Sequence, residues 1–113
     1  MARIDHAAIR TKLYEEAQHF FEDVFEMHMW REIGEKPGRK CWYKEGIQLC
    51  EVEELDAASE NGYDHISIAV DSEAEIMEKI KAYPVKAIND HWFLLPNGTK
   101  IELKPLAEWK VDA

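Results

Sequence analysis

The chain has 113 residues, which is enough for one hydrophobic core but too few for two independent ones. Its 23 acidic residues against 14 basic ones give a formal net charge of −9, and no basic run interrupts that excess. Nucleic acid is therefore a poor candidate for a partner.

The start of the chain and the distribution of apolar residues point to the cytoplasm. Arg3 and Asp5 stand where a signal peptide needs an apolar core, and no run approaches the ~18 apolar residues of a membrane span. Cys41 and Cys50 lack the CxxC spacing of redox or metal motifs. We expect a cytoplasmic protein with no membrane partner and two reduced, packed thiols, with a hairpin disulfide as the alternative.

The first half of the chain is predicted to form a strand, a helix and three more strands. Alternating polarity indicates a strand over 3–10, after which Thr11 is placed to cap a helix. Apolar residues then recur at helical spacing and predict a core-facing stripe of Leu13, Ala17, Phe20, Phe21, Val24 and Phe25. Further strands are predicted at 28–33, 40–44 and 47–53, separated by turns that contain glycine.

The second half repeats this order after a linker over 55–62. A strand is predicted over 64–70, and Ser72 with Glu75 forms a capping box that opens a second helix. Three short strands follow at 85–89, 91–95 and 100–104, and a tail covers 106–113. We therefore predict one α+β domain over 1–113, built of two βαβββ repeats (1–54 and 63–105) whose curled mixed sheets face each other.

Polar residues recur at equivalent places in the two repeats. An Asp-His pair gives His6 and His65 in the first strands, and an Ile-x-Leu triplet in the last strands carries Gln48 or Glu102. Each polar side chain should point away from its apolar neighbours, so all four are expected opposite the helices. Two imidazoles, one carboxylate and one amide oxygen suit a divalent ion such as Zn, Ni, Co, Fe or Mn. The alternative is that each His is a hydrogen-bonded packing residue.

These stretches resemble the vicinal-oxygen-chelate superfamily, and the resemblance covers nearly the whole chain. It is carried by residues 4–9, the aromatic helix over 17–25, residues 64–71 and the ending over 95–103. The superfamily includes glyoxalase I, methylmalonyl-CoA epimerase, fosfomycin-resistance enzymes, extradiol dioxygenases and bleomycin-resistance proteins. Its metal-ligand positions fall on His6, Gln48, His65 and Glu102. This His-Gln-His-Glu set is similar to that of the epimerase, whereas bacterial glyoxalase I usually has Glu where Gln48 stands.

The resemblance implies that neighbouring oxygens of a substrate chelate a metal ion, which stabilises an enolate or another oxyanion. By resemblance to glyoxalase I, Glu102 is the predicted catalytic group that moves the proton. Arg10 matches an Arg that holds a glutathione carboxylate in glyoxalase I, or else it is a surface Arg paired with a neighbouring Glu. Trp42, Trp92 and His91 are predicted to line the substrate cavity.

The leading hypothesis is a metal-dependent isomerase or lyase of glyoxalase I type that acts on a small oxygenated substrate. One alternative is an epimerase that works α to a thioester, and the other is a non-catalytic protein that sequesters a small molecule, as bleomycin-resistance proteins do. Val52 stands where glyoxalase I commonly has Asn, and the short 86–90 segment reduces the wall for a large thiol conjugate. Exposed sheet edges predict a homodimer.

Overall fold

The computed structural model describes residues 2–55 and 62–106, and these form the βαβββ order twice. The first half contains β1 (Ala2–Thr11), α1 (Tyr14–Val24), β2 (Met29–Ile33), β3 (Lys40–Tyr43) and β4 (Ile47–Glu51). The second half contains β5 (Tyr63–Val70), α2 (Glu73–Lys79), a 3-10 turn (Ile80–Ala82), β6 (Lys86–Ala87), β7 (Trp92–Leu94) and β8 (Lys100–Pro105). The predicted α+β class and the order of elements are confirmed, although β6 and β7 are shorter than predicted.

Contacts within the chain define two compact units. The N-terminal unit comprises His6–Asp64, and the C-terminal unit comprises Met1–Asp5 together with His65–Ala113. The residues of β1 up to Asp5 thus group with the second half, and the predicted repeat boundaries stay a prediction. Most of the predicted linker and nearly all of the predicted tail lie outside the described residues.

The N-terminal unit contains four strands in the order β2-β3-β4-β1. β1 runs parallel to β4 with Ala8 opposite Gln48, and β3 is antiparallel to both β2 and β4. The buried core on the helix side consists of Tyr14, Cys41, Tyr43 and Leu49. Because side chains alternate along a strand, His6, Ala8 and Gln48 share the opposite face.

The apolar stripe predicted for α1 is wrong in most of its residues. The helix begins at Tyr14, which is 2% exposed and packs into the core with Ala17 and Phe21, at i, i+3 and i+7. The Tyr14 hydroxyl donates a 2.7 Å hydrogen bond to Glu32 on β2, which fixes the rotation of the helix. Leu13, Phe20, Val24 and Phe25 are instead at least half exposed. Thr11 accepts from the backbone N–H of Leu13, before the helix, and so does not cap it.

The C-terminal unit repeats the pattern with four strands in the order β5-β8-β7-β6. β5 runs parallel to β8 with Ser67 opposite Glu102, and β7 is antiparallel to β8 with Trp92 opposite Glu102. α2 begins where predicted, because the Ser72 side chain accepts from the backbone N–H of Glu75 at 3.2 Å. The core on the helix side is built on Val70, Phe93, Ile101 and Leu103.

Cys41 and Cys50 are both buried and free, so the alternative of a disulfide between them is not seen. Cys41 lies opposite Leu49 and Cys50 opposite Lys40, which places the two thiols on different faces of the β3–β4 pair. Burial raises the pKa of the Cys50 thiol, which favours its neutral form.

None of the helices in the described part of the chain has the length and apolar character needed to cross a bilayer.

Candidate metal centre

The N-terminal unit places two of the predicted ligands on one face of its sheet. His6 and Gln48 are 3% and 4% exposed and lie on the neighbouring strands β1 and β4. Trp42, on β3, is the cross-strand partner of Gln48, and its ring meets the ring of His6 edge-on with centroids 6.5 Å apart. The indole therefore covers one side of the His6–Gln48 pair.

The side-chain oxygen of Gln48 is buried and has no hydrogen-bond partner among the described residues. A buried acceptor left in this way destabilises the fold by ~1–3 kcal/mol unless something satisfies it. A divalent cation bonded to this oxygen would supply that partner, and the neighbouring imidazole adds a nitrogen donor. The donor set present in the unit therefore fits a metal ion.

The C-terminal unit contains the other two predicted ligands. His65 is 7% exposed, and its Nε2 lies 3.5 Å from Oε1 of Glu102, whose side chain is 24% exposed. The Trp92 ring packs edge-on against the imidazole with centroids 4.7 Å apart. The nitrogen and carboxylate oxygen thus lie close together, and the carboxylate keeps access to solvent. This pair is suited both to bind a cation and to exchange a proton.

The two halves are alike beyond their ligands. In each half, a Trp on the antiparallel neighbour strand lies opposite the Gln or Glu ligand, and its ring contacts the His ligand. A cationic side chain lies over each Trp ring. The guanidinium carbon of Arg31 is 5.5 Å from the centroid of Trp42, and Nζ of Lys100 is 4.9 Å from that of Trp92. The duplication therefore preserves a chemical arrangement as well as a fold.

These two sheet faces are basic in a chain whose net charge is −9. Strand alternation places three cations on the face of Gln48, namely Arg10, Arg31 and Lys40. It places three more on the face of Glu102, namely Lys86, Lys100 and Lys104. Two of the six cations are paired with strand carboxylates: Nε of Arg10 lies 3.4 Å from Oδ1 of Asp64, and Nζ of Lys104 lies 3.8 Å from Oδ2 of Asp5. With Glu102, three carboxylates accompany six cations. The local charge therefore favours an anionic ligand.

Arg10 has a structural neighbour as well as a place on the His6 face. Its Nε lies 3.4 Å from Oδ1 of Asp64, and its backbone N–H donates to the carbonyl of Gly62. The acidic neighbour of Arg10 is thus Asp64 and not a Glu. A contact between Arg10 and a substrate stays a prediction.

His91 lies away from the other predicted site residues of its unit. Its Nδ1 is 2.7 Å from Oε1 of Glu73 at the start of α2, whereas the next residue, Trp92, contacts His65. The hydrogen bond to Glu73 raises the pKa of the His91 imidazole. His91 borders an open pocket of about 840 Å³ between α2 and the segment over 85–91. His91 immediately precedes β7, and adjacent residues of an extended chain point to opposite sides, which explains the separation.

Ser67 is a residue to which sequence reasoning assigns no role, although alternation predicts its position on the His65 face. It is fully buried, and its hydroxyl has no hydrogen-bond partner among the described residues. Its place opposite Glu102 follows from the register of β5 and β8, which the sequence alone does not specify.

Comparison with known proteins finds similar folds among solved structures and no match by sequence. No protein-family model and no curated protein matches the chain. A hypothetical protein from Bacillus halodurans C-125 matches with a TM-score of 0.71, at 18% identity over 99% of this chain and 97% of its own. A methylmalonyl-CoA epimerase in complex with methylmalonyl-CoA and NH4+ matches with a TM-score of 0.69, at 18% identity over 99% of each chain. The methylmalonyl-CoA epimerase of Mycobacterium tuberculosis matches with 0.66, at 16% identity over 90% and 87%.

At this level of identity the matches establish a shared fold. That fold is the one expected from the resemblance to the vicinal-oxygen-chelate superfamily. Methylmalonyl-CoA epimerases belong to that superfamily. Of the three structures named, two are methylmalonyl-CoA epimerases and none is named a glyoxalase I.

Proposed function

We propose that the protein is a metal-dependent enzyme that moves a proton at a carbon α to a carbonyl, with an anionic acyl thioester as substrate. The observation that carries the proposal is the buried, unpartnered oxygen of Gln48 beside His6, which a divalent ion would satisfy. Support for the thioester comes from the shared fold of epimerases, one of them in complex with methylmalonyl-CoA.

In this proposal His6, Gln48, His65 and Glu102 hold the ion, whose identity among Zn, Ni, Co, Mn and Fe is open. When bound there, a divalent ion acts as a Lewis acid that stabilises the negative charge developing on the substrate oxygens. Three of the ligands are neutral, so most of the cation's charge stays available to the substrate. A carboxylate at position 48 would neutralise more of that charge than the amide of Gln48 does.

Glu102 is the proposed catalytic base. Its carboxylate is partly exposed and lies 3.5 Å from the His65 ring, so it can face both the ion and a substrate carbon. It takes the proton from the α-carbon as the C–H bond breaks and the bonding electron pair passes into the enolate. Addition of a proton to carbon completes the reaction, and an epimer forms when that proton arrives on the opposite face. Trp42 and Trp92 cover the two His rings and keep bulk water from the reacting atoms.

The basic sheet faces favour a substrate that carries its own negative charge. Arg31 and Lys100 lie over the two Trp rings, one in each unit, and are the proposed contacts for a carboxylate or phosphate of the substrate. A thioester of a dicarboxylic acid has such a group beside the α-carbon. Arg10 is a further proposed contact.

One observation favours a second function, an isomerase of glyoxalase I type. Epimerisation delivers the proton to the face opposite the one it left, which usually requires two bases. The nearby carboxylates of Asp5 and Asp64 are paired with Lys104 and Arg10, so Glu102, beside His65, is the one proposed base. A single base suffices to move a proton between adjacent carbons on the same side. The glyoxalase reading therefore stays as the alternative, and a sequestering protein of bleomycin-resistance type would bind the ligand without either reaction.

Metal titration separates these classes. We expect the protein, stripped of metal and titrated with Ni²⁺, Co²⁺, Zn²⁺ and Mn²⁺, to bind one ion per chain far more tightly than a His6→Ala/His65→Ala double variant. A His19→Ala/His28→Ala variant removes two exposed imidazoles and is the matched control. Equal binding by wild type and the His6→Ala/His65→Ala variant would leave only the sequestering reading.

The substrate class is tested by solvent exchange. The metal-loaded protein is incubated in D₂O with methylmalonyl-CoA, with propionyl-CoA, which lacks the second carboxylate, and with a hemithioacetal of methylglyoxal. Deuterium at the α-carbon of the first compound, with little in the second, supports the proposed function. Turnover of the hemithioacetal alone would favour the isomerase.

A further inference from the structure

Ser67 has a fully buried hydroxyl with no partner among the described residues. A buried donor in this state destabilises the folded protein, so its presence calls for a partner that the unliganded chain does not supply. Ser67 lies on β5, two residues after His65 and on the same face. The missing partner is therefore to be sought on the face that carries the proposed ligands.

Glu102 is the neighbour that can use this donor. The register of the parallel β5–β8 pair sets Ser67 directly opposite Glu102, while Trp92 flanks Glu102 on the other side from β7. A carboxylate accepts hydrogen bonds but donates none, so one of its oxygens can face an ion while the other accepts from a hydroxyl. Carboxylates that bind metals are in turn held by such hydrogen bonds.

The first repeat provides an internal comparison. There Ala8 lies opposite Gln48, at the place that Ser67 takes opposite Glu102. Gln48 ends in an amide with two N–H donors, and it needs no donor beside it to hold its oxygen toward an ion. The hydroxyl thus occurs in the repeat whose ligand is acceptor-only.

We propose that Ser67 is a positioning residue of the metal centre, whose hydroxyl donates a hydrogen bond to the Glu102 carboxylate when a divalent ion is bound. This inference rests on the proposed metal site. The hydrogen bond fixes the rotamer of Glu102 so that one oxygen is directed to the ion. Without an ion, the hydroxyl stays unpaired and reduces the stability of the apo protein.

The Ser67 hydroxyl is thus expected to lower the stability of the apo protein and to strengthen metal binding. Both effects can be measured in the full chain with Ser67→Ala. We expect its chemical unfolding midpoint without metal to equal or exceed that of wild type, because an unpartnered hydroxyl is removed. We expect its Kd for Co²⁺, followed by the visible absorption of the ion, to be about tenfold weaker. Ser67→Cys keeps the size of the side chain with a weak donor and should weaken Co²⁺ binding in the same direction.

An Ala8→Ser variant is the matched control, because it places a hydroxyl opposite Gln48 and should not tighten Co²⁺ binding. An unchanged Kd in both Ser67 variants would overturn the proposal while leaving the metal site intact. A loss of apo stability as large as the loss of Co²⁺ affinity would also overturn it, since Ser67 would then be structural. Failure of the wild type to bind Co²⁺ would reject the metal centre itself, and the role of Ser67 with it.

Discussion

His65 and Glu102 lie close enough to share a cation or a proton, with Nε2 of the imidazole 3.5 Å from Oε1 of the carboxylate. The two residues are on the neighbouring parallel strands β5 and β8, and both point away from the helix-side core. A carboxylate in such a place can serve as metal ligand and as base. Substitutions at position 102 distinguish these two roles.

Glu102→Gln should separate binding from catalysis. The amide keeps an oxygen for the ion but cannot accept the α-proton, so we expect metal binding to weaken while α-proton exchange falls at least ~100-fold. NMR detection of deuterium incorporation measures the exchange under saturating metal. Glu78→Gln, which removes an exposed carboxylate paired with Lys81 on α2, is the control. Exchange near the wild-type rate in Glu102→Gln would assign the base to another residue.

Gln48→Leu should weaken metal binding without destabilising the apo protein. The substitution removes a buried oxygen that has no partner and replaces it with apolar volume, so the thermal midpoint should stay or rise. Loss of a ligand should weaken the Kd for Ni²⁺ by ~tenfold or more. Gln18→Leu changes a half-buried amide on α1 that donates to Glu32, on the helix side of the sheet, and should leave the Kd for Ni²⁺ unchanged. A lower thermal midpoint with unchanged Ni²⁺ binding would show that Gln48 is a packing residue.

Lys100→Gln should raise the KM for anionic substrates. The Lys100 ammonium lies over Trp92 on the Glu102 face, and a partly exposed charge of this kind contributes up to ~1 kcal/mol to binding, about two- to fivefold in KM. Initial rates at low and high salt measure the effect, which should shrink as salt screens the charge. Lys81→Gln on α2 serves as the control. An equal KM for Lys100→Gln and wild type at low salt would argue against this contact.

The elements that the sequence predicts well are those whose signals are local. Alternation gave β1 and β5, and the Ser72 capping box gave the start of α2. Alternation also predicts that His65 and Glu102 point away from the helix, because the apolar residues beside them in β5 and β8 pack on the helix side.

The failures come from packing and register, which local patterns do not determine. α1 has apolar residues on more than one side, so the sequence could not choose between a stripe with Phe20 and one with Tyr14. The hydrogen bond from Tyr14 to Glu32, 18 residues further along the chain, determines which side of α1 faces the core. His91 is adjacent to Trp92 in sequence, yet it lies one residue before β7 and its imidazole pairs with Glu73 of α2. A place for His91 in the substrate cavity stays a prediction. The lack of a hydrogen-bond partner for the Ser67 hydroxyl can be recognised only when the surrounding residues of the fold are known.

The His91–Glu73 pair predicts a stability that depends on pH. The hydrogen bond to Glu73 raises the pKa of His91 in the folded protein, so the pair's contribution is fully present below the unfolded value of ~6.5. It is lost as pH rises through the higher folded pKa. We therefore expect His91→Ala to lower the urea midpoint near pH 5.5 and to have little effect near pH 8.5. His19→Ala is the control, and a difference that grows with pH would contradict the assignment.

The last prediction concerns assembly through β2. This strand is at the end of the strand order in the N-terminal unit, pairs with β3 alone among the described strands, and exposes Trp30 and Ile33 by 39% and 43%. An exposed edge with apolar side chains is a template for pairing, and two copies related by a twofold axis would each cover the other. We expect a homodimer in sedimentation velocity at micromolar concentration, and a monomer for a Trp30→Lys/Ile33→Lys variant.

Tyr83→Lys, which changes an aromatic residue that is 67% exposed in the C-terminal unit, is the matched control and should remain dimeric. A wild-type monomer at micromolar concentration would end the prediction. A dimer that persists in the Trp30→Lys/Ile33→Lys variant and dissociates in Tyr83→Lys would move the interface to the C-terminal unit. Because each edge strand lies two strands away from its unit's ligand-bearing strands β4 or β8, we expect the Trp30→Lys/Ile33→Lys variant to retain its Kd for Ni²⁺.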